Sequence, residues 1–363
     1  MADNALKKLE RTGRKALRAA LRLGLPKLDA PPAIDAAWVK KVLVIRQENR
    51  LGNLVMLTPM LSSVRLAFPK AEVHVLTSDV FPEVFHAHPA IAKVIAAPKK
   101  AFIGNPIKFL SFFRALRREQ YDLAFDCSHM HEFSLSSGAA TRMVSARASI
   151  GYRRGDADMY LQHLVAPMPA GTHEMDIHLA LLRAVAPPEW TSVLPLPGTL
   201  RPSWQITAEE AARATARWAE WGIPEGTATG VFLGGRGTKR WPPEKFAELA
   251  SREIARGKKV VLFGGPGEKD ALEALRSLPG TRIAEPLALR DLAATMRGCR
   301  IVVTSDTGPM HVAVAVGVPT IQIFSASEPE RYGYAHLPEH RVVGRQGEEV
   351  SVDTVDAALG AGT

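Results

Sequence analysis

A short polar turn, Ser305-Asp306-Thr307-Gly308-Pro309, holds the residues of this chain that are best suited to binding an anion. It follows a β-branched run, Ile301 to Thr304, that is typical of a buried strand, and it precedes a small-residue helix predicted from His311 to Val316. A second apolar strand, Thr320 to Phe324, completes a βαβ unit. Because no large side chain covers the start of this helix, its first amides can point at a phosphate. A capped helix that binds no ligand is the alternative, since one motif of this kind is a weak signal.

Two more glycine-rich loops follow predicted strands in the same half of the chain. The strand from Thr229 to Leu233 leads into the loop from Gly234 to Pro242, and the strand from Lys259 to Phe263 leads into Gly264 to Glu268. Doubly wound sheets bind ligands at the carboxyl ends of their strands. The agreement of three separate loops therefore favours a binding site at this edge of a sheet.

The order of the predicted elements indicates an α/β protein in which helices cover both faces of parallel sheets. In the first half, the predicted strands are Lys41–Ile45, Ala71–Leu76, Val94–Ala97, Leu123–Asp126 and Ala148–Gly151. The helices predicted there are Leu51–Leu66, Pro82–His88, Ile107–Arg118, Glu132–Val144 and His173–Val185. The helices predicted in the second half are Ala208–Trp221 and Pro243–Arg256, in addition to the one in the βαβ unit.

The length of 363 residues favours two domains. Proline-rich stretches suggest where they are divided. We predict a basic N-terminal helix and linker over residues 1–37, a Rossmann-like domain over 38–185, a linker over 186–204 and a second Rossmann-like domain over 205–363.

The first 28 residues carry a net charge of +6, out of +9 for the whole chain. Apolar or small residues recur there at helical spacing, namely Leu6, Leu9, Gly13, Leu17, Ala20 and Leu23. A basic amphipathic helix of this kind suits an anionic membrane surface. A solvated tail, or a helix packed on a neighbouring domain, is the alternative. Nucleic acid is disfavoured as a partner because the basic segment has no aromatic side chain to stack on bases.

Composition excludes several other classes of protein. No run of about 18 apolar residues is present, so the sequence predicts no membrane-spanning helix. The two cysteines, Cys127 and Cys299, are far apart and lie in otherwise regular segments, which favours buried thiols in a reducing compartment over a disulfide or a metal site.

Three stretches together resemble glycosyltransferase family 9, the ADP-heptose:lipopolysaccharide heptosyltransferases and their relatives. They are KVLVIRQENRLGNLVMLTPML, TKRWPPEKFAELA and SDTGPMHVAVAVGVPTIQIF, and the resemblance extends over about residues 40 to 345. It implies the GT-B fold, two Rossmann-like domains facing a central cleft, with the acceptor on the first domain and the donor on the second. It further implies an inverting, metal-independent transfer of a heptose from an ADP-sugar to the lipopolysaccharide core. The expected location is the cytoplasm, at the inner face of the inner membrane, and no cofactor is expected.

The resemblance also implies roles for individual residues. Lys239 matches the lysine that contacts phosphate, with the Thr238 hydroxyl beside it, and the amides of Thr307 and Gly308 form a second anion cradle. The other expected substrate-binding residues are Gly52, Asp306 near the donor sugar, Glu268 on the ribose, the backbone near Leu287 on the adenine, and His311. For His311, contact with phosphate and packing beneath the loop remain equal alternatives.

The chain departs from the family pattern at Asn53. The pattern is Leu-Gly-Asp, and the aspartate is the expected general base, whereas an amide cannot accept the acceptor's proton. Three readings follow: Glu48 supplies the base, a weak or substrate-supplied base acts slowly, or catalysis is lost and the chain only binds a nucleotide sugar or glycan. In the same loop, Arg46 and Arg50 either meet an acidic acceptor or are solvated.

Two further patterns are weak. His129, His131 and Glu132 lie just past a strand end, but without a fourth ligand they do not make a closed metal site, and we expect them to line a cleft. Gly264-Gly265-Pro266-Gly267 suggests a dinucleotide-dependent oxidoreductase, but it lacks the GxGxxG spacing, and Pro266 has no amide to offer a phosphate.

Overall fold

The computed structural model of the chain describes residues 27–102, 105–187, 190, 192–235, 237–276 and 278–360. The predicted basic helix over residues 1–28 lies almost wholly outside these described residues.

Two six-stranded parallel sheets form the framework, as the alternation of strands and helices predicted. The first has the order β3-β2-β1-β4-β5-β6. Its strands are β1 (Lys41–Arg46), β2 (Glu72–Ser78), β3 (Lys93–Ala97), β4 (Leu123–Asp126), β5 (Ala148–Tyr152) and β6 (His163–Val165). Central strand β1 is buried from Val42 to Arg46, because it pairs with β2 on one side and β4 on the other. Its near-continuous apolar sequence is what burial on both faces requires.

The second sheet repeats this topology, with the order β12-β11-β10-β7-β8-β9. Its strands are β7 (Thr229–Phe232), β8 (Val260–Phe263), β9 (Thr281–Ile283), β10 (Ile301–Ser305), β11 (Thr320–Ile323) and β12 (His340–Val343). Strand β10 is central and pairs with β7 and β11, so the turn that follows Ser305 lies at the carboxyl edge of the sheet. Both halves are therefore Rossmann-like, as expected.

Helices connect the strands and cover the sheets. In the described part of the chain they are α1 (Leu51–Val55), α2 (Thr58–Ala67), α3 (Lys99–Phe102), α4 (Pro106–Arg118), α5 (Leu135–Val144), α6 (Glu174–Arg183), α7 (Ala208–Trp221), α8 (Pro243–Ala255), α9 (Lys269–Ala274), α10 (Leu289–Arg297), α11 (Gly308–Ala315), α12 (Pro329–Tyr332) and α13 (Val352–Gly360). Several begin where capping residues predict. The Asn105 side chain accepts a hydrogen bond from the Lys108 amide, and Thr207 forms a capping box with Glu210.

Two predicted helices were wrong. The single helix expected from Leu51 to Leu66 is divided into α1 and α2, because Pro59 has no N–H and its ring is incompatible with a continuous helix. The Thr58 hydroxyl instead bonds the Val55 carbonyl at 2.8 Å. The expected helix Pro82–His88 is a short 3₁₀ turn, Pro82–Phe85.

Strands β6, β9 and β12 were not predicted. Each lies at an edge of its sheet, and none is longer than four residues. Such strands are only partly buried, so they lack the apolar run by which a central strand is recognised.

An apolar cluster joins the two halves of the molecule. It includes Val44 and Leu54 from the first half together with Met310 and Val312 from the second. The segment predicted as a linker packs into the same cluster through Trp190 and Trp204. The exact domain boundaries at residues 37, 185 and 204 stay predictions.

Candidate functional site

Asp306 lies at the carboxyl end of β10, directly before helix α11, and is only 6% exposed. Its Oδ2 atom is 2.5 Å from Nζ of Lys239, so the two residues form an ion pair. The Ser327 hydroxyl donates a hydrogen bond to the same carboxylate oxygen. Three loops of the second sheet, those after β7, β10 and β11, thus meet at one carboxylate.

Lys239 itself is accessible. It ends the 3₁₀ turn Gly237–Lys239 after β7, its side chain is 39% exposed, and Nζ is 5.7 Å from the ring centroid of Tyr332. The neighbouring Thr238 is also exposed, and its carbonyl accepts a hydrogen bond from Ser325 at 2.9 Å. A cation in this position can contact a bound anion while it remains paired with Asp306.

Helix α11 begins at Gly308, three residues earlier than predicted, with Thr307 as its N-cap. Pro309 falls in the first turn, where its missing N–H costs no helical hydrogen bond. Thr307 has an extended backbone, and its side chain does not cap the helix. The positive end of the helix dipole therefore lies directly beside Asp306.

His311, in the same helix, is buried. Its Nδ1 atom is 2.7 Å from the hydroxyl of Tyr334, and its Nε2 atom is 3.9 Å from Oδ1 of Asp306. Burial lowers the pKa of His311 to about 4, so the imidazole is neutral near pH 7. Of the two alternatives for this residue, the observed contacts favour packing beneath the loop.

The loop after β1 of the first sheet touches this helix. A Cβ atom added to Gly52 would lie 2.3 Å from Cδ2 of His311, and one added to Gly308 would lie 2.8 Å from Cβ of Leu51. Only glycine at both positions allows so close an approach. The N-termini of α1 and α11 therefore meet, one from each half of the molecule.

Asn53 and Glu48 lie together in the β1 loop. The amide Nδ2 of Asn53 donates a hydrogen bond to Oε2 of Glu48 at 3.1 Å, and the Ser78 hydroxyl holds the Glu48 carbonyl at 2.7 Å. The Glu48 side chain is 25% exposed. A carboxylate is thus present beside the position where the family pattern has its aspartate.

A buried group of charges that the sequence did not reveal lies behind this loop. Arg46 is 1% exposed and bonds the Cys127 carbonyl, and its NH2 atom is 3.3 Å from Oε1 of Glu174. Arg331 reaches the other oxygen of Glu174 from the second half at 3.0 Å. Burial acts to raise the pKa of Glu174, but nearby positive charge, including both arginines, outweighs it and holds the pKa at about 2.

Arg46, the last residue of β1, is therefore buried in ion pairs, whereas Arg50, in the loop that follows, is exposed. His129 faces the second half, with Nε2 3.4 Å from NH2 of Arg331, whereas His131 and Glu132 are exposed. Within the described residues, no three His, Cys, Asp or Glu side chains are grouped so that they could hold a metal ion.

Glu268 and Leu287 lie farther along the same sheet. Glu268 accepts hydrogen bonds from Arg240 and from the Gly265 amide, each at 3.0 Å, so its carboxylate already has partners. Leu287 is in the loop between β9 and α10, half-buried against the apolar cluster that contains Phe263. The structure does not join either residue directly to Asp306.

Sequence reasoning missed Ser327, Tyr334, Glu174 and Arg331, which hold the site together. Ser327 and Arg331 belong to the stretch after β11, at the carboxyl edge, and that position was the signal available. Tyr334 and Glu174 are distant in sequence from the residues that they contact, and no spacing pattern predicts such contacts.

Two Rossmann-like domains meet at the carboxyl ends of their sheets, which is the GT-B architecture. A cation and a helix N-terminus lie on one side of this junction, and a carboxylate lies on the other. The family model "Glycosyltransferase family 9 (heptosyltransferase)" matches residues 109–355, and the chain belongs to that family. It is a transferase enzyme, and the comparisons give no support to a catalytically silent binder.

Individual proteins are similar to the chain in sequence, and solved structures are similar to it in fold. Lipopolysaccharide heptosyltransferase 1 of Pseudomonas aeruginosa is 27% identical over 303 residues, which cover 80% of this chain and 79% of that protein. The structure of E. coli ADP-heptose LPS heptosyltransferase II has a TM-score of 0.71 at 22% identity, covering 88% of this chain and 98% of that one. E. coli heptosyltransferase WaaC with ADP has a TM-score of 0.67 at 18% identity, covering 88% and 97%.

In the described part of the chain, no helix has both the length and the apolar character needed to cross a bilayer.

Proposed function

We propose that this chain is an inverting, metal-independent heptosyltransferase that moves a heptose or related sugar from an ADP-sugar to a lipopolysaccharide-core or similar glycan acceptor. Family membership and the activities for which the similar proteins are named support this choice of substrates. The observation that carries the catalytic part is the hydrogen bond from Asn53 to Glu48, on a loop that contacts helix α11.

On the donor side, Lys239 and the amides of Thr307 and Gly308 would hold the diphosphate. Charge developing on the leaving group is stabilised by a cation and by oriented dipoles, which can take the part that a metal takes elsewhere. Asp306 would accept sugar hydroxyls, with Thr238 beside the phosphates, Glu268 at the ribose and Leu287 at the adenine. We place the donor on residues 205–363 and the acceptor on 38–185.

In the reaction, the Glu48 carboxylate would accept the proton of the acceptor hydroxyl. The resulting oxygen nucleophile attacks the anomeric carbon while the bond from that carbon to the β-phosphate oxygen breaks, and ADP leaves with the electron pair. A single displacement of this kind inverts the anomeric configuration. Asn53 would act as a positioning residue, because its amide group fixes one carboxylate oxygen of Glu48.

The proposed location is the cytoplasmic face of the inner membrane, with residues 1–28 bound to the anionic surface. The support is the +6 charge of that segment.

The decisive experiment measures product formed from ADP-heptose and a deacylated core acceptor by the wild type, Glu48→Gln and Asn53→Asp. We expect Glu48→Gln to lose at least about 100-fold in rate, because general-base catalysis contributes 10²–10⁴-fold. Asn53→Asp places a second carboxylate beside Glu48, and the acid limb of its pH–rate profile should move to higher pH. Glu72→Gln, an exposed glutamate of the same domain, is the matched control.

Equal rates for the wild type and Glu48→Gln would contradict the assignment of the base and favour one supplied by the substrate. An inactive wild type would contradict the choice of donor and acceptor. Full activity in excess EDTA tests independence of metal, and the anomeric configuration of the product tests inversion.

A further inference from the structure

A second basic segment lies in the first domain, far in sequence from residues 1–28. Residues 99–118, which include α3 and α4, contain six cations and no Asp or Glu. The cations are Lys99, Lys100, Lys108, Arg114, Arg117 and Arg118. The net charge of residues 1–28 and 99–118 taken together exceeds the net charge of the whole chain. The other residues are therefore net negative. The positive charge of the protein is therefore concentrated in two places.

Helix α4 arranges part of this charge in a stripe. Ile107, Leu110, Arg114 and Arg117 follow one another at spacings of three and four residues, so they lie on one face of the helix. Ile107 is 78% exposed and Leu110 is 55% exposed, which is unusual for aliphatic side chains standing together. Both arginines are exposed, and within the described residues neither forms an ion pair or a side-chain hydrogen bond.

A cavity of about 470 Å³ opens along this stripe, between α4 and α5. Leu110, Phe113 and Met143 contribute its apolar lining, and the arginines Arg114, Arg117 and Arg142 contribute its polar lining. None of these residues belongs to the candidate functional site. A cavity with both linings fits an amphiphilic anion.

We propose that this stripe and cavity form a lipid-headgroup site by which the first domain docks on an anionic bilayer. The aliphatic end, Ile107 and Leu110, enters the acyl boundary, and Arg114 and Arg117 stay at the level of the phosphates, with one headgroup in the cavity. Charge complementarity favours this occupant. A free phosphate leaves the exposed aliphatic side chains without a function. Single-stranded nucleic acid needs exposed aromatic rings, whereas Phe109 and Phe112 pack against Phe102.

This site would act in addition to the proposed attachment through residues 1–28. It does not depend on the proposed transfer reaction, and the two are tested separately.

The test uses the full chain and vesicles of phosphatidylcholine with phosphatidylglycerol, compared with vesicles of phosphatidylcholine alone. The variants are Arg114→Glu/Arg117→Glu and Ile107→Ser/Leu110→Ser. The control, Arg282→Glu/Arg297→Glu, makes the same change of charge at two exposed arginines of the second domain.

We expect both α4 variants to raise the lipid concentration needed for half-binding by about tenfold or more. The charge reversal acts because each cation near an anionic surface contributes several-fold to binding, and the serine variant acts because binding strength also depends on buried apolar area. The control should change it less than about twofold. Substituting Arg14, Lys15, Arg18 and Arg22 with glutamine tests the contribution of residues 1–28. When these substitutions are combined with an α4 variant, the two fold-changes in the lipid concentration for half-binding should multiply.

Equal effects of the α4 charge reversal and the control would overturn the proposal, since binding would then follow net charge alone. Loss of transfer to a soluble, deacylated phosphorylated acceptor in the α4 variants, without vesicles, would also overturn it and assign the cavity to the acceptor. If the wild type binds vesicles through α4 but transfers no sugar, the proposed function fails and this inference stands.

Discussion

At the scale of single residues, the Lys239–Asp306 pair is the centre of the proposed donor side. Asp306 is buried, yet three groups compensate its charge: Lys239, the Ser327 hydroxyl and the N-terminus of α11. Lys239 is exposed enough to meet a second anion as well. A bound diphosphate would thus find its cation already fixed in place by a carboxylate, which lowers the entropy lost on binding.

Lys239→Ala should raise the Kd for ADP by about 10- to 100-fold, because a hydrogen bond to a charged group contributes about 1.5–3 kcal/mol. Isothermal titration calorimetry with ADP measures this. Lys245→Ala, at a lysine that pairs with Glu349 on the surface, is the control and should bind ADP as the wild type does. Unchanged affinity in Lys239→Ala would show that the phosphates lie elsewhere.

At the scale of elements, the important contact is between the N-termini of α1 and α11. It brings the loop that carries Glu48 and Asn53 against helix α11, whose first amides we propose to hold the donor. The contact depends on Gly52 and Gly308, since a methyl group on either would overlap the opposite helix. The Tyr334 hydroxyl fixes the His311 ring against which Gly52 packs.

Gly52→Ala should therefore lower kcat by about 100-fold, since a displacement of about 1 Å of reacting groups costs this much. Affinity for ADP should change little, because Lys239 and Asp306 are not displaced. Steady-state kinetics and ADP titration of the same sample separate the two effects. Gly360→Ala serves as the control, because among the described residues the added methyl group meets no atom within 4 Å beyond its chain neighbours and the backbone of its own helix. A wild-type kcat in Gly52→Ala would mean that the two loops need not touch during transfer.

At the scale of the whole molecule, several histidines are buried and have lowered pKa values. Burial lowers the pKa of His88, His311 and His340 to about 4. Burial also lowers the pKa of His173 and His178 to about 3. His173 bonds the Gly333 carbonyl across the two halves at 3.0 Å, so some of these rings lie where the domains meet.

These histidines predict that the free energy of unfolding falls as the pH is lowered from 6.5 towards 5. In that window the unfolded chain binds protons that the native protein excludes, so stability is complete above pH 6.5 and is lost as the pH approaches the native pKa values. Each such histidine contributes a slope of up to about 1.4 kcal/mol per pH unit.

Urea unfolding at a series of pH values measures the slope. His88→Gln should reduce the slope of the free energy of unfolding against pH by the contribution of one histidine, because burial is the cause of the low pKa of His88. The carboxylate of Glu174, whose pKa is lowered from 4.5 to about 2, contributes to the slope mainly below this window, where the unfolded chain binds the proton that the native protein excludes. A free energy of unfolding that is constant between pH 6.5 and 5 would contradict the prediction.

The sequence by itself determined the architecture. Three local patterns predicted it: the apolar runs of β1 and β10, the alternation of strands and helices, and the glycine-rich turns at strand ends. Each pattern follows from burial on both faces of a sheet or from turn geometry. The same patterns placed Asp306, Thr307 and Gly308 at a carboxyl edge, and the motif that contains Lys239 placed that lysine on the neighbouring loop. The partly buried edge strands, which lack such a pattern, were missed.

Only the tertiary structure decided how these residues are combined. It paired Lys239 with Asp306, placed His311 beneath the loop against Gly52 and Tyr334, and put Arg46 in ion pairs with Glu174 rather than in solvent. It also joined Asn53 to Glu48, five residues earlier in the chain. Such contacts depend on how the two sheets pack against each other and on how the loops turn. Local spacing encodes neither of these, because the burial of apolar surface in other parts of the molecule brings the partners together.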